Sequence, residues 1–361
     1  MIKRYGFIGC GMMGQEHLRN INLINDAMAY AIYEPNINMQ KMAKKLAPDA
    51  KFYDSLDKIL SDENIDCWLI VSPNHLHMDQ LEQLAGISHR PILVEKPLFT
   101  EIKHLERIKN FSIKYNAPVW VAMEYRYMPP IAELIKRQNN VTGGIKMLSI
   151  REHRFPFLPK VDDWNRFNKN SGGTFVEKCC HFFDLMRLIT GSNPTKIMAS
   201  GGQAVNHLNE NYSGLVPDIW DHGYVIVEFE NNMRAMLELC MFAEGAKYQE
   251  EISITGDKGK IEAFVPGPAR FWPKKLGAPP IPKIVVSPRD KSGLREFDVP
   301  VDEMILEAGD HNGSTFYQHQ KFMRVVDGHQ SPEVTLNDGI WAVRMGNAAQ
   351  VSAETGKVVN F

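Results

Sequence analysis

The first third of the chain alternates short apolar runs with stretches in which apolar positions recur at helical spacing. The runs are KRYGFIG, AMAYAIYE, KFY, IDCWLIVS, PILVE and PVWVAME. Between them lie MMGQEHLRNINLI, NMQKMAKKLA, SLDKILSD, HLHMDQLEQLAG and EIKHLERIKNFSIKY, each with an apolar stripe and a polar face. Continuous apolar strands joined by crossover helices predict a parallel sheet covered on both faces. Six strands in this rhythm predict a doubly wound α/β domain over residues 1–123.

Past residue 123 strand-like runs dominate: IKMLSIREH, KIMASGGQAV, HGYVIVEFE, RAMLELCMF, EISITG, KIEAFV and KIVVSP. Asn231–Asn232 reads as a tight hairpin turn between two of them, and TGDKGK as another. Residues 124–361 are therefore expected to form an α+β domain with a large, mainly antiparallel sheet. Its longest internal helix is expected over 174–190, and TLNDGIWAVRMGNAAQVSAETG is a second helical stretch. The Pro- and Gly-rich VPGPARFWPKKLGAPPIPK reads as a surface excursion or subunit contact.

A length of 361 residues agrees with two domains. With 44% apolar residues, 23% charged and a net charge of −2, nothing electrostatic points to nucleic acid or a membrane as partner. The apolar run in MIKRYGFIGCGMMG is cut off by Gln15, Glu16 and His17 before it resembles a signal peptide. No apolar stretch approaches membrane-spanning length. Five cysteines without regular spacing predict free thiols and a cytoplasmic setting.

The first strand runs into GCGMMG, where Gly9, Gly11 and Gly14 form a GxGxxG that opens a helix. The first glycine permits the tight turn, the second lets backbone approach a pyrophosphate, and the third lets the helix pack closely. Met12 and Met13 share this loop, and the anion would rest on the amides of the helix N-terminus. Glu34 ends the second strand 20 residues past Gly14, where a carboxylate binds both ribose hydroxyls of NAD and repels the extra phosphate of NADP. NAD is the expected cofactor. Ligands of such sheets lie outside the carboxyl ends of the strands. Strand four ends in VSPNHLH, placing Ser72, Pro73, Asn74 and His77 beside the loop. Strand five ends in VEKP, placing Glu95 and Lys96 about 10 Å further along, towards the nicotinamide half of the cofactor.

A second constellation lies in GGTFVEKCCHFFDLMRLITG, residues 172–191. Glu177, His181 and Asp184 fall three and four residues apart, on one helical face in an otherwise apolar segment. Uncompensated burial of that row would be costly. Cys179 and Cys180 point to different faces and no second ligand pair at zinc spacing follows, so no metal is expected.

GFIGCGMMG, VSPNHLH, VEKP and GGTFVEKCCHFFD occur in this order, with YRYMP at 125–129 and NAAQVSAETGKVV near the end. Together they resemble the glucose–fructose oxidoreductase/inositol dehydrogenase (Gfo/Idh/MocA) family over essentially the whole chain. The resemblance implies a Rossmann domain followed by a substrate-binding and oligomerisation domain, in an NAD(P)-dependent oxidoreductase of sugars, sugar derivatives or cyclic polyols. It also implies a homodimer or homotetramer. The family motif falls on Gly172–Gly173, Glu177, His181 and Asp184, and the family lysine on Lys96. Glu177 stands where aspartate is usual, and Cys179 where a small residue, often glycine, is common. The longer carboxylate leaves three roles open for Glu177: touching substrate, orienting His181, or neither.

Oxidation of a secondary alcohol needs a base for the hydroxyl proton while hydride leaves carbon. An imidazole, titrating near neutrality, makes His181 the candidate. Lys96 would hydrogen-bond the same oxygen and stabilise developing alkoxide. Tyr125, Arg126, Arg154, Asp162 and Trp164 are candidate sugar contacts, together with Glu177 and His181. Asp218, Trp220, His222 and His311 join them from later loops and strands. Beside the dehydrogenase stand two further readings: a redox-neutral enzyme in which NAD transiently oxidises a glycoside to allow its cleavage, and a non-catalytic regulator that binds NAD or a sugar.

Overall fold

The computed structural model describes residues 2–361, in two compact units. The first comprises residues 2–124, 159–172 and 315–344; the second comprises 125–158, 173–314 and 345–361.

In the first unit β1 (Lys3–Ile8), β2 (Ala27–Tyr33), β3 (Lys51–Tyr53), β4 (Cys67–Ile70), β5 (Ile92–Val94) and β6 (Val119–Val121) form a parallel sheet in the order β3-β2-β1-β4-β5-β6. The crossover helices are α1 (Met12–Ile21), α2 (Ile37–Leu46), α3 (Leu56–Leu60), α4 (His77–Ala85) and α5 (Leu105–Lys114). Strands β4, β5 and β6 are buried at every residue, as their unbroken apolar runs require in a sheet covered on both faces. Local signals set the helix starts. The Asn36 side chain accepts from the Asn38 and Met39 amides at the head of α2, and Ser55 caps α3.

The second unit carries a nine-stranded sheet in the order β14-β13-β12-β11-β7-β10-β9-β8-β15. Its strands are β7 (Ile145–His153), β8 (Pro194–Gly202), β9 (His222–Phe229), β10 (Arg234–Cys240), β11 (Glu250–Gly256), β12 (Gly259–Val265), β13 (Lys283–Pro288), β14 (Arg295–Asp298) and β15 (Val359–Asn360). Every pairing is antiparallel except β7 with β10. Hairpins join β9 to β10 through Asn231–Asn232, with Asn232 left-handed, and β11 to β12. Alternate residues of these strands bury Leu148, Ile150, Val225, Leu237 and Ile252 against Phe175, Phe182 and Phe183. The Pro- and Gly-rich segment joins β12 to β13 as an exposed loop with two 3-10 turns, leaving Phe271 and Leu276 in solvent.

The remaining helices are α6 (Pro129–Thr142), α7 (Asn168–Ser171), α8 (Thr174–Glu177), α9 (Cys180–Thr190), α10 (Glu303–Ala308), α11 (Ser314–Val326) and α12 (Leu336–Thr355). Two of these correct the sequence pattern. The single helix expected over 174–190 is broken into α8 and α9, with Lys178 and Cys179 between them. Apolar residues flank the break on both sides, so hydrophobic periodicity carries no sign of it. Nor is this segment the longest helix of its unit: α6 has 14 residues against 11 in α9. Proline at its first turn and left-handed Gly143 just past its end mark α6, although its apolar stripe is thin.

Candidate active site

A cavity of about 1280 Å³ opens in the first unit at the carboxyl ends of its strands. Gly9, Gly11, Met12, Met13 and Glu34 line one part of it, and Ser72, Pro73, Asn74, Glu95 and Lys96 another. Gly9 has φ +89°, and a β-carbon there would lie 2.7 Å from the Ser72 Cα, so only glycine fits the turn. At Gly11 a β-carbon would meet nothing within 4 Å, which leaves the backbone approachable from the cavity. Gly11 also heads α1 with no side chain bonded to the first-turn amides, as an anion-binding helix terminus requires.

Gly14 does not line the cavity. A β-carbon on it would sit 3.3 Å from Cys10 Sγ and Val71 Cγ1, so this glycine lets α1 lie close to the sheet. Glu34 is 8% exposed and fixed by two backbone amides. Cys10 N donates to Oε2 at 2.6 Å, and Asn36 N to Oε1 at 2.8 Å. This places a carboxylate at the rim of the glycine loop, as ribose recognition needs. Burial, with the Glu34 charge adding to it, pushes the Cys10 thiol far up, so Cys10 is inert here.

His77 also stays out of the cavity. Its ring is fully buried between the carbonyls of Pro97 (2.9 Å) and Ser72 (3.0 Å), and it ties the ends of β4 and β5 together. Asp162 and Trp164, proposed from sequence as sugar contacts, line the same cavity as the glycine loop. Asp162 and Asp163 both take left-handed backbone, and Trp164 packs edge-on to His75 with Lys160 over its ring. Lys160 and Lys169 bring cations to this cavity. Isolated lysines, one in a loop and one in the single-turn α7, have no spacing signal, so sequence reasoning missed them.

The other candidates lie in the second unit. His181 is 2% exposed and stacks face to face on Tyr125, with ring centroids 4.0 Å apart and planes at 8°. The His311 ring lies 6.1 Å from Tyr125. Arg126 takes both carboxylate oxygens of Asp184 in a buried bidentate pair. Glu177 is buried at the end of α8. Trp220 packs edge-on to Phe175, and its carbonyl accepts from Thr174 Oγ1 at 2.7 Å, so it anchors α8. His222 is half-buried beside Asp221, with Nδ1 to Oδ1 at 2.8 Å, and Asp218 is exposed.

Arg154 belongs to a buried charge cluster not foreseen as a unit. Lys178 Nζ lies 2.8 Å from Glu152 Oε1 and donates to the Tyr125 hydroxyl at 2.5 Å. Arg154 Nη1 reaches the same Glu152 oxygen at 3.3 Å. Glu250 stands opposite Glu152 in the β11–β7 register and accepts from Gln249 Nε2 at 2.6 Å. Oε2 of both glutamates has no hydrogen-bond partner. Burial, then the charge of Glu152, pushes Glu250 up to about 7, while burial and Arg154 push Lys178 down. The signal was in the alternation: Glu152 is in phase with Leu148 and Ile150, and Glu250 with Ile252 and Ile254.

This cluster has a consequence for pH. A carboxyl raised from 4.5 to about 7 on folding holds its proton in the folded chain where the unfolded chain has lost it. Its contribution to stability is therefore present below about pH 4.5 and lost as pH rises through 7. Glu250→Gln, neutral at every pH, is expected to remove a loss of order 2–3 kcal/mol between pH 5 and 8. Parallel pH slopes of denaturation midpoint for both proteins would contradict this.

Among the described residues no group of three or more His, Cys, Asp or Glu side chains could hold a metal, and no helix is long and apolar enough to cross a membrane.

The six-stranded order, the glycine turn and the carboxylate at the end of β2 together define an oxidoreductase that binds NAD. The chain belongs to the Gfo/Idh/MocA family: residues 3–123 match its NAD-binding Rossmann fold and 133–361 its C-terminal alpha/beta domain. Proteins named inositol 2-dehydrogenase are among its relatives, which is consistent with an NAD-dependent dehydrogenase of CH–OH groups. The chain is 24% identical over 371 residues to the myo-inositol 2-dehydrogenase of Thermotoga maritima, covering 99% of this chain and 98% of that protein. Its fold is similar to that of the WlbA dehydrogenase of Bordetella pertussis in complex with NADH and UDP-GlcNAcA, with TM-score 0.75, 16% identity and coverage of 100% and 99%. GenD2 from gentamicin A biosynthesis, in complex with NAD, gives TM-score 0.78 at 17% identity, covering 100% of this chain and 96% of that one.

Proposed function

We propose that this protein interconverts a secondary alcohol and a ketone on a sugar, sugar derivative or cyclic polyol. One observation carries the reading: Lys96 lines the cavity that also holds the glycine loop and Glu34. Glycine-loop amides and Glu34 would hold the dinucleotide, with Ser72, Pro73 and Asn74 beside it and the nicotinamide towards Glu95 and Lys96. NAD, when bound, supplies the hydride acceptor. Lys96 hydrogen-bonds the reacting oxygen and stabilises negative charge on it as the carbon–hydrogen bond breaks. His181, kept in orientation by its stack on Tyr125, takes the hydroxyl proton and returns it in the reverse direction. Trp164 offers an apolar face for a sugar ring. Relatives named inositol 2-dehydrogenase, from Thermotoga maritima and Rhizobium meliloti, favour a cyclic polyol or pyranose.

The test is NADH formation with NAD or NADP and a panel of sugars, glycosides and cyclic polyols. Reduction of NAD by one group of substrates is the expected result. Glycoside cleavage without net NADH would replace this reading with the redox-neutral one, and NAD binding with neither reaction would leave the regulator. The same reading places the protein in the cytoplasm as a homodimer or homotetramer; a monomeric mass in light scattering would contradict the latter.

A further inference from the structure

The first unit contains a row of buried polar side chains that the reaction above does not use. Tyr5 on β1, His17 on α1 and His319 on α11 are all fully buried, and Glu95 at the end of β5 is 5% exposed. Tyr5 Oη lies 2.9 Å from His319 Nδ1, and His319 Nε2 lies 2.8 Å from His17 Nδ1. His17 Nε2 lies 2.9 Å from Glu95 Oε1, and the Lys96 amide donates to Glu95 Oε2 at 3.2 Å. The row is thus a continuous hydrogen-bonded chain from the core of the sheet to the cavity that Glu95 lines.

Its two ends decide which way every bond points. A buried phenol must donate its proton, and the acceptor beside Tyr5 is His319 Nδ1. That leaves the single proton of a neutral His319 on Nε2, which donates to His17 Nδ1. His17 then carries its proton on Nε2 and donates to Glu95, which as a carboxylate can only accept. A doubly protonated His17 would set its Nδ1–H against the Nε2–H of His319. Burial pushes His319 well below the ordinary imidazole value, which agrees with a neutral ring. Burial alone would raise Glu95, yet the hydrogen bond from His17, with Lys96 and His77 nearby, brings it below the ordinary carboxylate value.

We infer that His17 and His319 are positioning residues: their chain from Tyr5 holds Glu95 ionised at the cofactor cavity, where its charge favours the cationic, oxidised nicotinamide over the neutral, reduced one. The inference rests on the functional reading for one point, that the nicotinamide lies towards Glu95 and Lys96. A fixed carboxylate there attracts NAD+ and leaves NADH unaffected, so the enzyme would bind its oxidant preferentially and release NADH readily. For unit charges about 12 Å apart at an effective dielectric of about 20, the discrimination is about tenfold.

Two measurements on the full chain test it. Nitrogen-15 NMR of the imidazoles, without cofactor, should show both His17 and His319 neutral and protonated at Nε2 alone. A doubly protonated His17, or a proton on either Nδ1, overturns the chain whatever the cofactor does. Calorimetric binding of NAD+ and NADH should then show the ratio of their affinities falling about tenfold in Glu95→Gln. His319→Phe, which keeps a ring but breaks the chain, should shift the ratio in the same sense. His319→Gln can accept from Tyr5 and donate to His17, and should restore it. Glu34→Gln, at the ribose end, should weaken both ligands and leave the ratio alone. An unchanged ratio in Glu95→Gln, with the imidazole protons as stated, refutes the charge role, even if Lys96→Ala abolishes turnover. Should His319→Phe fail to fold, the NMR and Glu95→Gln still decide.

Discussion

Lys96→Ala is expected to lower kcat by a factor of about 10²–10⁴, and His181→Ala by a similar factor. As hydride departs, the alcohol oxygen becomes electron-rich, and an ammonium bonded to it is worth more in the transition state than in the bound alcohol. Removing that ammonium therefore shows in kcat rather than in KM. Loss of His181 removes the proton acceptor instead. On the proposed mechanism both side chains act on one oxygen, so the double variant should lose less than the product of the two single losses. Stopped-flow and steady-state assays on the substrate found by the panel would measure this. Turnover near wild type in either single variant would remove that residue from the mechanism.

The second large effect concerns stability. Asp184→Ala is expected to cost about 3–5 kcal/mol in the denaturation of the second unit. Arg126 and Asp184 are both buried, with side chains 8% and 0% exposed, and the guanidinium takes both carboxylate oxygens. Deleting the carboxylate takes the bidentate partner from a buried cation, and an arginine cannot escape by losing its proton. Arg126→Met with Asp184→Leu, which removes both charges and restores volume, should recover most of the loss. If Asp184→Ala costs under 1 kcal/mol, water must reach the guanidinium, and the pair is not the dry contact described here.

The parallel sheet was legible because β2, β4, β5 and β6 are apolar runs without internal polar residues, and its cofactor loop because glycines have a steric signature. Asp162 and Trp164 were visible as candidates but not as part of the glycine-loop cavity, since the segment that carries them lies far from Gly9 along the chain. Strand β14 was illegible for another reason: REFD is exposed at all four residues and carries no alternation. Asp184 reads as a partner for His181 by helical spacing, yet the structure hands its two oxygens to Arg126, a residue 58 positions away. Long-range pairing of this sort leaves no periodic trace. The same holds for His319, whose role appears only when Tyr5 and His17 are seen beside it.

The first unit closes on chain that is made late. Thr315 donates to Glu124 and reaches Glu16, and His319 completes the row between Tyr5 and His17. Gly339 packs 3.0 Å from the Leu98 and Val121 side chains as judged by its would-be β-carbon. On a ribosome, then, the six strands would emerge with β1 to β6 complete long before residues 315–344 exist to cover them. A nascent chain halted between the two segments would leave Tyr5 and Trp120, both fully buried in the finished protein, without His319 and Phe322, their late partners. During synthesis this unit would expose that apolar surface until residues 315–344 were added.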